Sequence, residues 1–193
     1  MRYGTTGAPV PGYEVRLLDE AGAEIADDAI GELQVRGPSA AALYWNNPDK
    51  TAATFLDGGW VRTGDKFRRD ADGALVYCGR ADDMLKGGGI WVSPAEIEAA
   101  LLGHPAILEV AVIGKADGGG LIKPKAFIVL KDGADPAPDA AELQAFVKAR
   151  LAPYKYPRWI DFVSELPKTA TGKIRRHVLR EQEDAAVPDE AAS

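Results

Sequence analysis

Residues 79–89 read Gly-Arg-Ala-Asp-Asp-Met-Leu-Lys-Gly-Gly-Gly, and the character of the chain changes across this stretch. Before it, short alternating apolar segments are separated by turn residues, a pattern typical of β-strands. After it, helical spacings alternate with β-rich segments. The sequence therefore predicts an α+β fold with a junction near residues 79–83. A β-rich, partial-barrel segment over residues 1–81 precedes a small α+β domain over residues 82–182.

On the N-terminal side of the junction, glycine, proline and aspartate interrupt the chain at short intervals. Asn47 or Asp49 is suited to cap a short helix over residues 50–56, because both side chains accept hydrogen bonds from backbone amides. Strands are predicted in four segments: residues 13–17, 31–38, 60–63 and 74–78.

On the C-terminal side, Ser93, Pro94 and Glu96 mark a helix start, since they supply a cap, a first-turn proline and a capping-box glutamate. This helix is predicted to run to Leu102. Further strands are predicted over residues 107–115, 123–131 and 159–163, and further helices over residues 139–151 and 175–182. The tail, residues 183–193, is mainly alanine, aspartate, glutamate and proline, and we expect it to be disordered.

The composition excludes several classes of partner. The chain has 193 residues, and 23 lysines and arginines against 29 aspartates and glutamates give a net charge of −6. Such a surface repels phosphates at long range, which argues against nucleic acid or an anionic membrane as the main partner. Cys78 is the only cysteine, so a disulfide framework is excluded and a cytoplasmic location is expected. The histidines, His104 and His177, lack the spacing of a metal site, and no apolar run approaches the roughly 20 residues that span a bilayer.

Two segments besides the junction carry residues suited to binding ribose hydroxyls or a phosphate. In Thr63-Gly64-Asp65, a carboxylate after a glycine turn could accept hydrogen bonds from a pair of ribose hydroxyls, although a solvated turn explains the same residues. Residues 166–176 place four cations within nine residues, and Gly172 permits a turn that projects Lys173 towards a phosphate. A solvated basic turn is the alternative there.

The glycines do not form either of the common nucleotide-binding motifs. Ile174 stands where a Walker A loop requires serine or threonine, and no glycine lies five positions before Gly172. Both glycine runs, residues 87–89 and 118–120, lack the third spaced glycine of a dinucleotide fingerprint. At the junction itself, a linker and a functional hinge explain the small and charged residues equally well.

Taken together, the motifs resemble the C-terminal third of an adenylate-forming enzyme. This superfamily contains acyl-CoA synthetases, nonribosomal-peptide adenylation domains and firefly luciferase. The matching segments, in order, are Thr63-Gly64-Asp65, Gly79-Arg80-x-Asp82-x-x-x-Lys86-x-x-Gly89, Ser93-Pro94-x-Glu96-Ile97-Glu98 and Pro167-Lys168-Thr169-x-x-Gly172-Lys173. The similarity runs from Tyr3 to about Arg180. Residues 89–94 and 151–158 most resemble benzoate-CoA ligases and related aryl-CoA ligases.

The resemblance implies a two-step reaction. An aromatic, benzoate-like carboxylate attacks the α-phosphate of Mg-ATP to give an acyl-adenylate and pyrophosphate, and coenzyme A then displaces AMP. Asp65 would hold the ribose hydroxyls and Arg80 would lie near the ribose or the phosphates. Lys173 would approach the α-phosphate in the adenylation state. Asp82 would be the hinge about which the C-terminal domain turns between the two steps.

For the second step, the resemblance implies that Lys86 enters the site from the opposite face of the domain. Gly87, Gly88 and Gly89 would let the backbone approach the pantetheine arm of coenzyme A, since no side chain intrudes. Relatives tend to have valine and serine where this chain has Gly87-Gly88, a departure that would loosen the loop. ATP, Mg²⁺ and coenzyme A are expected as ligands of the intact enzyme, with none bound tightly to this chain.

The resemblance implies that residues 1–81 are the last β-subdomain of a larger N-terminal AMP-binding domain, and that the family's phosphate-binding loop, Mg²⁺-binding glutamate and acyl pocket belong to the missing part of that domain. The chain is therefore expected to be a fragment, with that domain as its partner, and to be inactive alone. A lysine acyltransferase acting on Lys173 is a further expected partner, because acylation would remove the charge. The alternatives are a non-catalytic accessory module with this fold, an aliphatic acyl-CoA ligase and a peptide-synthetase adenylation domain.

Overall fold

The computed structural model describes residues 4–26, 28–87, 89–134 and 136–186. The chain divides into two compact units at the Asp82–Asp83 bond. This bond lies within the junction predicted from the sequence, one residue after the predicted boundary. Both units mix helices with strands, and the predicted α+β class is confirmed.

The first unit is an antiparallel sheet. Its elements are β1 (Glu14–Leu18), β2 (Gly31–Arg36), α1 (Pro48–Thr54), β3 (Phe55–Leu56), β4 (Trp60–Arg69) and β5 (Leu75–Arg80). The strands follow the order β1-β2-β4-β3, and β5 pairs with β4. Helix α1 begins at Pro48, two residues before the predicted start, because Asn47, one of the two predicted caps, accepts a hydrogen bond from the Lys50 amide at 3.1 Å.

The core of the first unit is small and lies on one face of the sheet. It contains the buried side chains of Leu17, Leu33, Phe67 and Leu75. Strand β4 continues to Arg69, well beyond the predicted end at residue 63, because it pairs with both β2 and β5.

The second unit has a three-stranded sheet and a separate hairpin. Its elements are β6 (Leu85–Gly87), β7 (Ile90–Val92), α2 (Pro94–Leu102), β8 (Ile107–Ala116), β9 (Ile122–Leu130), α3 (Ala140–Lys148), β10 (Trp159–Phe162) and α4 (Arg176–Ala186). The sheet order is β10-β9-β8, with β8 antiparallel and β10 parallel to β9. Strands β6 and β7 form an antiparallel hairpin that the sequence analysis did not predict.

Alternate residues of β8 enter two different cores, so the three-stranded sheet is covered on both faces. Val110 and Val112 pack with side chains of α2, α3 and the β6–β7 hairpin. Ala111 and Ile113 pack with Leu166, Ile174 and Leu179. We call the first the α2 face and the second the α4 face.

Helix α4 corrects the predicted start of the disordered tail. The helix continues to Ala186 instead of ending at residue 182, and Glu183 is 8% exposed. The Glu183 carboxylate binds the ammonium groups of Lys115, at 2.5 Å, and Lys125. These lysines lie on β8 and β9, far away in sequence, so the tail composition gave no sign of them. The rest of the predicted tail, residues 187–193, lies outside the described residues.

Candidate functional site

Asp65 and Arg80 face each other on adjacent strands of the first unit. They are paired across β4 and β5, and Arg80 Nη1 donates to Asp65 Oδ1 at 3.1 Å. The same Nη1 donates to the carbonyl of Thr63 at 3.1 Å. The Asp65 side chain is 29% exposed, so its carboxylate is held by the fold and still reachable from solvent.

Gly64 makes this contact sterically possible. Its φ is +72°, in the left-handed region that favours glycine. A Cβ atom at this position would lie 2.9 Å from Arg80 Nη2. Its carbonyl also accepts the Ala81 amide at 2.8 Å, which fixes the end of β5 beside the turn. The Thr63-Gly64-Asp65 segment thus belongs to strand β4 and binds the Arg80 guanidinium, and it is not a freely solvated turn.

Arg80 also reaches Asp82, the predicted hinge residue. Arg80 Nε lies 3.5 Å from Asp82 Oδ1, and the Asp82 side chain is 73% exposed. Partial burial lowers the pKa of the Arg80 guanidinium, but the Asp65 and Asp82 carboxylates raise it by more, so the pKa lies above its usual value. The structure therefore brings together three of the predicted residues: Asp65, Arg80 and Asp82.

Lys86 lies in the second unit, on the β6–β7 hairpin. Its register partner is Trp91, and its Nζ lies 5.2 Å from the centre of the Trp91 ring. The Lys86 side chain is exposed. Contact with the indole restricts the position of the exposed ammonium through a cation–π interaction.

Two of the three predicted CoA-binding glycines have clear roles in the fold. A Cβ at Gly87 would lie 2.6 Å from the carbonyl oxygen of Ile122, so glycine lets the hairpin approach β9 closely. Gly89 has a φ of +81° and open space around it, as the hairpin turn requires. Gly88 lies outside the described residues. The lack of side chains at Gly87 and Gly89 is thus explained by the fold, and contact with coenzyme A stays a prediction.

Lys173 lies at the end of a tight turn. The Thr169 amide donates to the Lys173 carbonyl at 2.8 Å, and the Lys173 amide donates to Thr169 Oγ1 at 3.0 Å. Gly172 has a φ of +82° in this turn, as the sequence suggested. The Lys173 side chain is exposed, and within the described ranges no carboxylate forms an ion pair with it. The turn therefore presents a free ammonium on a fixed backbone.

Neighbouring cations of this basic segment have other partners. Lys168 Nζ binds Glu109 Oε1 at 2.5 Å, and Arg176 binds the Glu98 carboxylate with its shortest contact at 2.7 Å. The cluster of four cations is thus not one continuous basic patch.

Lys173 and Lys86 are carried by elements on opposite faces of the three-stranded sheet. Ile174, next to Lys173, packs on the α4 face. Leu85, next to Lys86, is buried on the α2 face. The segments that carry the two lysines thus pack on different faces of the sheet.

Four residues without a predicted role of their own form a network of ion pairs: Asp83, Glu98, Arg176 and Arg180. Glu98 belongs to a recognised motif, but the arginine that it binds lies 78 residues after it, and Asp83 lies 93 or more residues before its own arginine partners. No local pattern could therefore have revealed the network.

Across the described ranges, no group of three or more histidine, cysteine, aspartate or glutamate side chains is arranged to hold a metal ion. None of the helices in the described part of the chain has the length and apolarity needed to cross a membrane.

Residues 96–173 match the model of the AMP-binding enzyme C-terminal domain. The chain is 60% identical over 182 residues to the benzoate–CoA ligase of Thauera aromatica, a match that covers 93% of this chain and 34% of that protein. It is 56% identical over 183 residues to the 4-hydroxybenzoate–CoA/benzoate–CoA ligase of Rhodopseudomonas palustris, covering 94% and 34% of the two chains. The chain thus spans about a third of the length of the curated relatives it matches.

A solved structure of an aryl-CoA ligase matches the fold of this chain. The anthranilate CoA ligase AuaEII, in complex with anthranoyl-AMP, superposes with a TM-score of 0.88 and is 49% identical. The match covers 97% of this chain and 37% of that one.

Proposed function

Because residues 96–173 belong to the AMP-binding enzyme C-terminal domain family, we propose that this chain serves as the C-terminal part of an AMP-forming aryl-CoA ligase. The substrate is proposed to be an aromatic, benzoate-like carboxylate, which the identity of 60% to a benzoate–CoA ligase supports. The observation that supports the proposal is that Ile174 and Leu85, the neighbours of Lys173 and Lys86, pack on opposite faces of one sheet.

In the proposed first step, a carboxylate oxygen of the substrate attacks the α-phosphorus of ATP and the bond to pyrophosphate breaks. The exposed ammonium of Lys173 approaches the α-phosphate and stabilises the charge that develops there. Only interactions stronger in the transition state than in the ground state accelerate this step, and a mobile side chain on a fixed turn can provide one.

Asp65 and Arg80 are proposed to hold the nucleotide. The Arg80 hydrogen bond uses Asp65 Oδ1, so Asp65 Oδ2 can accept from the ribose hydroxyls. The raised pKa of Arg80 means that the guanidinium stays charged beside the ribose or the phosphates.

Mg²⁺ bound to ATP neutralises phosphate charge in reactions of this kind. The described residues contain no cluster to hold it. We therefore assign its ligands, like the acyl pocket, to the remainder of the enzyme, and the chain alone should not catalyse adenylation.

In the proposed second step, the unit that begins at Asp83 turns about Asp82 and brings Lys86 to the site. The sulfur of coenzyme A attacks the acyl carbon, and the bond from that carbon to the AMP oxygen breaks. The Lys86 ammonium neutralises phosphate charge while Gly87, Gly88 and Gly89 line the path of the pantetheine arm. The proposed location is the cytoplasm; the single cysteine, Cys78, is buried.

The exposed Lys173 is also a proposed target of a lysine acyltransferase. Acylation would remove the positive charge that the first step needs, and would therefore switch the enzyme off at adenylation.

The proposal is tested by replacing each lysine in the full-length enzyme that contains the chain. Lys173→Ala should reduce ATP–pyrophosphate exchange by roughly 100- to 1,000-fold, the typical effect of losing one group that stabilises transition-state charge. It should leave the transfer of a preformed acyl-adenylate to coenzyme A nearly unchanged. Lys86→Ala should show the reverse pattern.

Lys168→Ala is the matched control, because it removes a neighbouring ammonium that is paired with Glu109. The rates of both half-reactions should be nearly unchanged in this variant. A Lys173→Ala enzyme with normal exchange would favour an accessory module. A panel of carboxylates that includes benzoate, a fatty acid and an amino acid distinguishes an aryl-CoA ligase from the aliphatic and peptide-synthetase alternatives.

A further inference from the structure

The ion-pair network of Asp83, Glu98, Arg176 and Arg180 is the strongest feature that the two proposed steps do not use. Arg176 Nη2 lies 2.8 Å from Glu98 Oε1 and 2.7 Å from Oε2, so the guanidinium donates hydrogen bonds to both carboxylate oxygens. Arg180 Nη1 donates to Asp83 Oδ1 at 2.9 Å. Arg176 Nη1 also lies 3.6 Å from Asp83 Oδ2, which joins the two pairs into one network.

The network lies at the β8 edge of the three-stranded sheet. Strand β8 pairs only with β9, so one side of β8 has no neighbouring strand in the sheet. Glu98 Oε1 accepts the Val112 amide at 2.8 Å and thereby binds that edge. Glu98 lies on α2 and Arg176 begins α4, so their contact joins helices from the two faces.

Three members of the network are shielded from solvent. The side chains of Glu98 and Asp83 are 12% and 17% exposed, and that of Arg176 is 23% exposed, whereas that of Arg180 is 37% exposed. Burial raises the pKa of Glu98 more than the hydrogen bonds and charge of Arg176 lower it. A carboxylate in this position depends on its arginine, because removal of one partner from a buried pair leaves an uncompensated charge.

The positions of the network in the chain relate it to both lysines. Arg176 lies three residues after Lys173, and Asp83 lies three residues before Lys86. Asp83 is also the first residue of the second unit, directly after the proposed hinge. One set of ion pairs therefore fixes the chain next to both lysines and next to the hinge.

We propose that Arg176 and Arg180 are positioning residues: Arg176, through Glu98, holds the turn that carries Lys173, and Arg180, through Asp83, holds the strand that carries Lys86. The network keeps the two lysines at fixed places on opposite faces and makes the unit turn as one body about Asp82. Neither arginine contacts a reacting atom. The inference rests on the proposed function and adds two residues to it.

The experiment compares Arg176→Gln with Arg180→Gln in the full-length enzyme. Arg176→Gln should lower kcat of adenylation by up to about 100-fold, the scale of loss when a catalytic group is misplaced by about 1 Å, with little change in KM for ATP. Its effect on transfer to coenzyme A should be smaller. Arg180→Gln should affect transfer more than adenylation.

Conservative and neighbouring variants separate positioning from a general loss of stability. Arg176→Lys keeps the charge without the two-pronged geometry and should restore only part of the adenylation rate. Arg175→Gln is the matched control, since the Arg175 guanidinium contacts the His177 ring and not the network. It should leave both half-reactions unchanged.

Hydrogen exchange on the 193-residue chain provides a readout independent of catalysis. Arg176→Gln should speed exchange of the amides of Thr169, Lys173 and Arg175, which are hydrogen-bonded in the turn, and Arg175→Gln should not. If Arg176→Gln fails to fold, Glu98→Gln is judged by the same criteria, because it keeps the size of the side chain and an acceptor for Val112.

Equal loss of both half-reactions in the two arginine variants, or unchanged exchange in the turn, would overturn the inference. An unmodified full-length enzyme that does not adenylate any carboxylate would instead overturn the proposed function. Hydrogen exchange would still decide whether Arg176 holds the turn.

Discussion

At the scale of single residues, Gly64 is constrained in both its backbone and its missing side chain. Its backbone has a positive φ, and its missing side chain leaves room for the Arg80 guanidinium that binds Asp65. The resemblance predicted that Asp65 and Arg80 belong to one nucleotide site. It could not show their hydrogen bond, because the pairing of β4 with β5 contains a register shift between Lys66 and Phe67. Such an irregularity cannot be read from residue alternation.

Gly64→Ala should weaken nucleotide binding beyond its effect on stability. The left-handed backbone costs alanine about 1 kcal/mol, and the new methyl group displaces the Arg80 guanidinium from Asp65. In the full-length enzyme, KM for ATP should rise while KM for coenzyme A stays unchanged.

Gly59→Ala is the control for this substitution. Gly59 has a φ of +77°, but the nearest atom to its Cβ position is a side-chain carbon of Arg36 at 3.9 Å. Both variants should lose a similar amount of unfolding free energy, and only Gly64→Ala should change KM for ATP. An equal rise in both would contradict the steric role of Gly64.

At the scale of elements, capped helix starts and the end of α2 at Leu102 were predictable, and the end of α4 was not. Ser93 and Asp139 accept the amides of Glu96 and Glu142, at 3.1 and 2.8 Å, as their local sequence indicated. These caps are local interactions. The extension of α4 to Ala186 depends on Glu183, whose partners lie 58 and 68 residues away. The β6–β7 hairpin was missed because glycines at a junction are equally typical of a linker.

Glu183→Gln should destabilise α4 in a pH-dependent way. Burial alone raises the pKa of Glu183, but hydrogen bonds and charges from Lys115 and Lys125 lower it by more, so the pKa lies below its usual value. For Lys125 the directions are opposite. Burial lowers the pKa of its ammonium, but Asp161 and Glu183 raise it by more, so this pKa lies above its usual value. The stabilisation is therefore present above the ordinary glutamate pKa of about 4.3 and disappears as pH falls through the lower, folded value.

At neutral pH, Glu183→Gln should reduce the free energy of unfolding by about 1.5–3 kcal/mol, the usual value of a hydrogen bond to a charged group. The difference from the unmodified chain should shrink as the pH drops below about 4.3. Denaturant unfolding at several pH values measures both effects. Glu181→Gln on the exposed side of α4 is the control and should have little effect; a constant difference at all pH values would contradict the ion-pair explanation.

At the scale of the whole molecule, each unit has a hydrophobic core of its own. The cores on the two faces of the three-stranded sheet contain only residues after Asp83, and the core of the first unit contains only residues before it. The change in residue pattern across residues 79–89 was sufficient to predict this division approximately. The two-faced sheet of the second unit follows from side-chain alternation only once the pairing of β8 with β9 is known.

Residues 83–193, expressed alone, should fold and unfold cooperatively. Two neighbouring leucines test whether the core is the one described: Leu101 is 0% exposed and Leu102 is 51% exposed. In this fragment, Leu101→Ala should lower the free energy of unfolding by about 2–5 kcal/mol, and Leu102→Ala by no more than about 0.5 kcal/mol. Thermal unfolding followed by circular dichroism measures both, and comparable losses would contradict the packing of α2.

The contact between Glu98 and Arg176 has an evolutionary consequence. A substitution at either position leaves a shielded, uncompensated charge, whereas replacement of both by apolar side chains can be neutral or stabilising. Selection should therefore act on the two positions as a pair, although 77 residues separate them in the chain. Among descendants of a common ancestor, the glutamate and the arginine are expected to persist together or to disappear together.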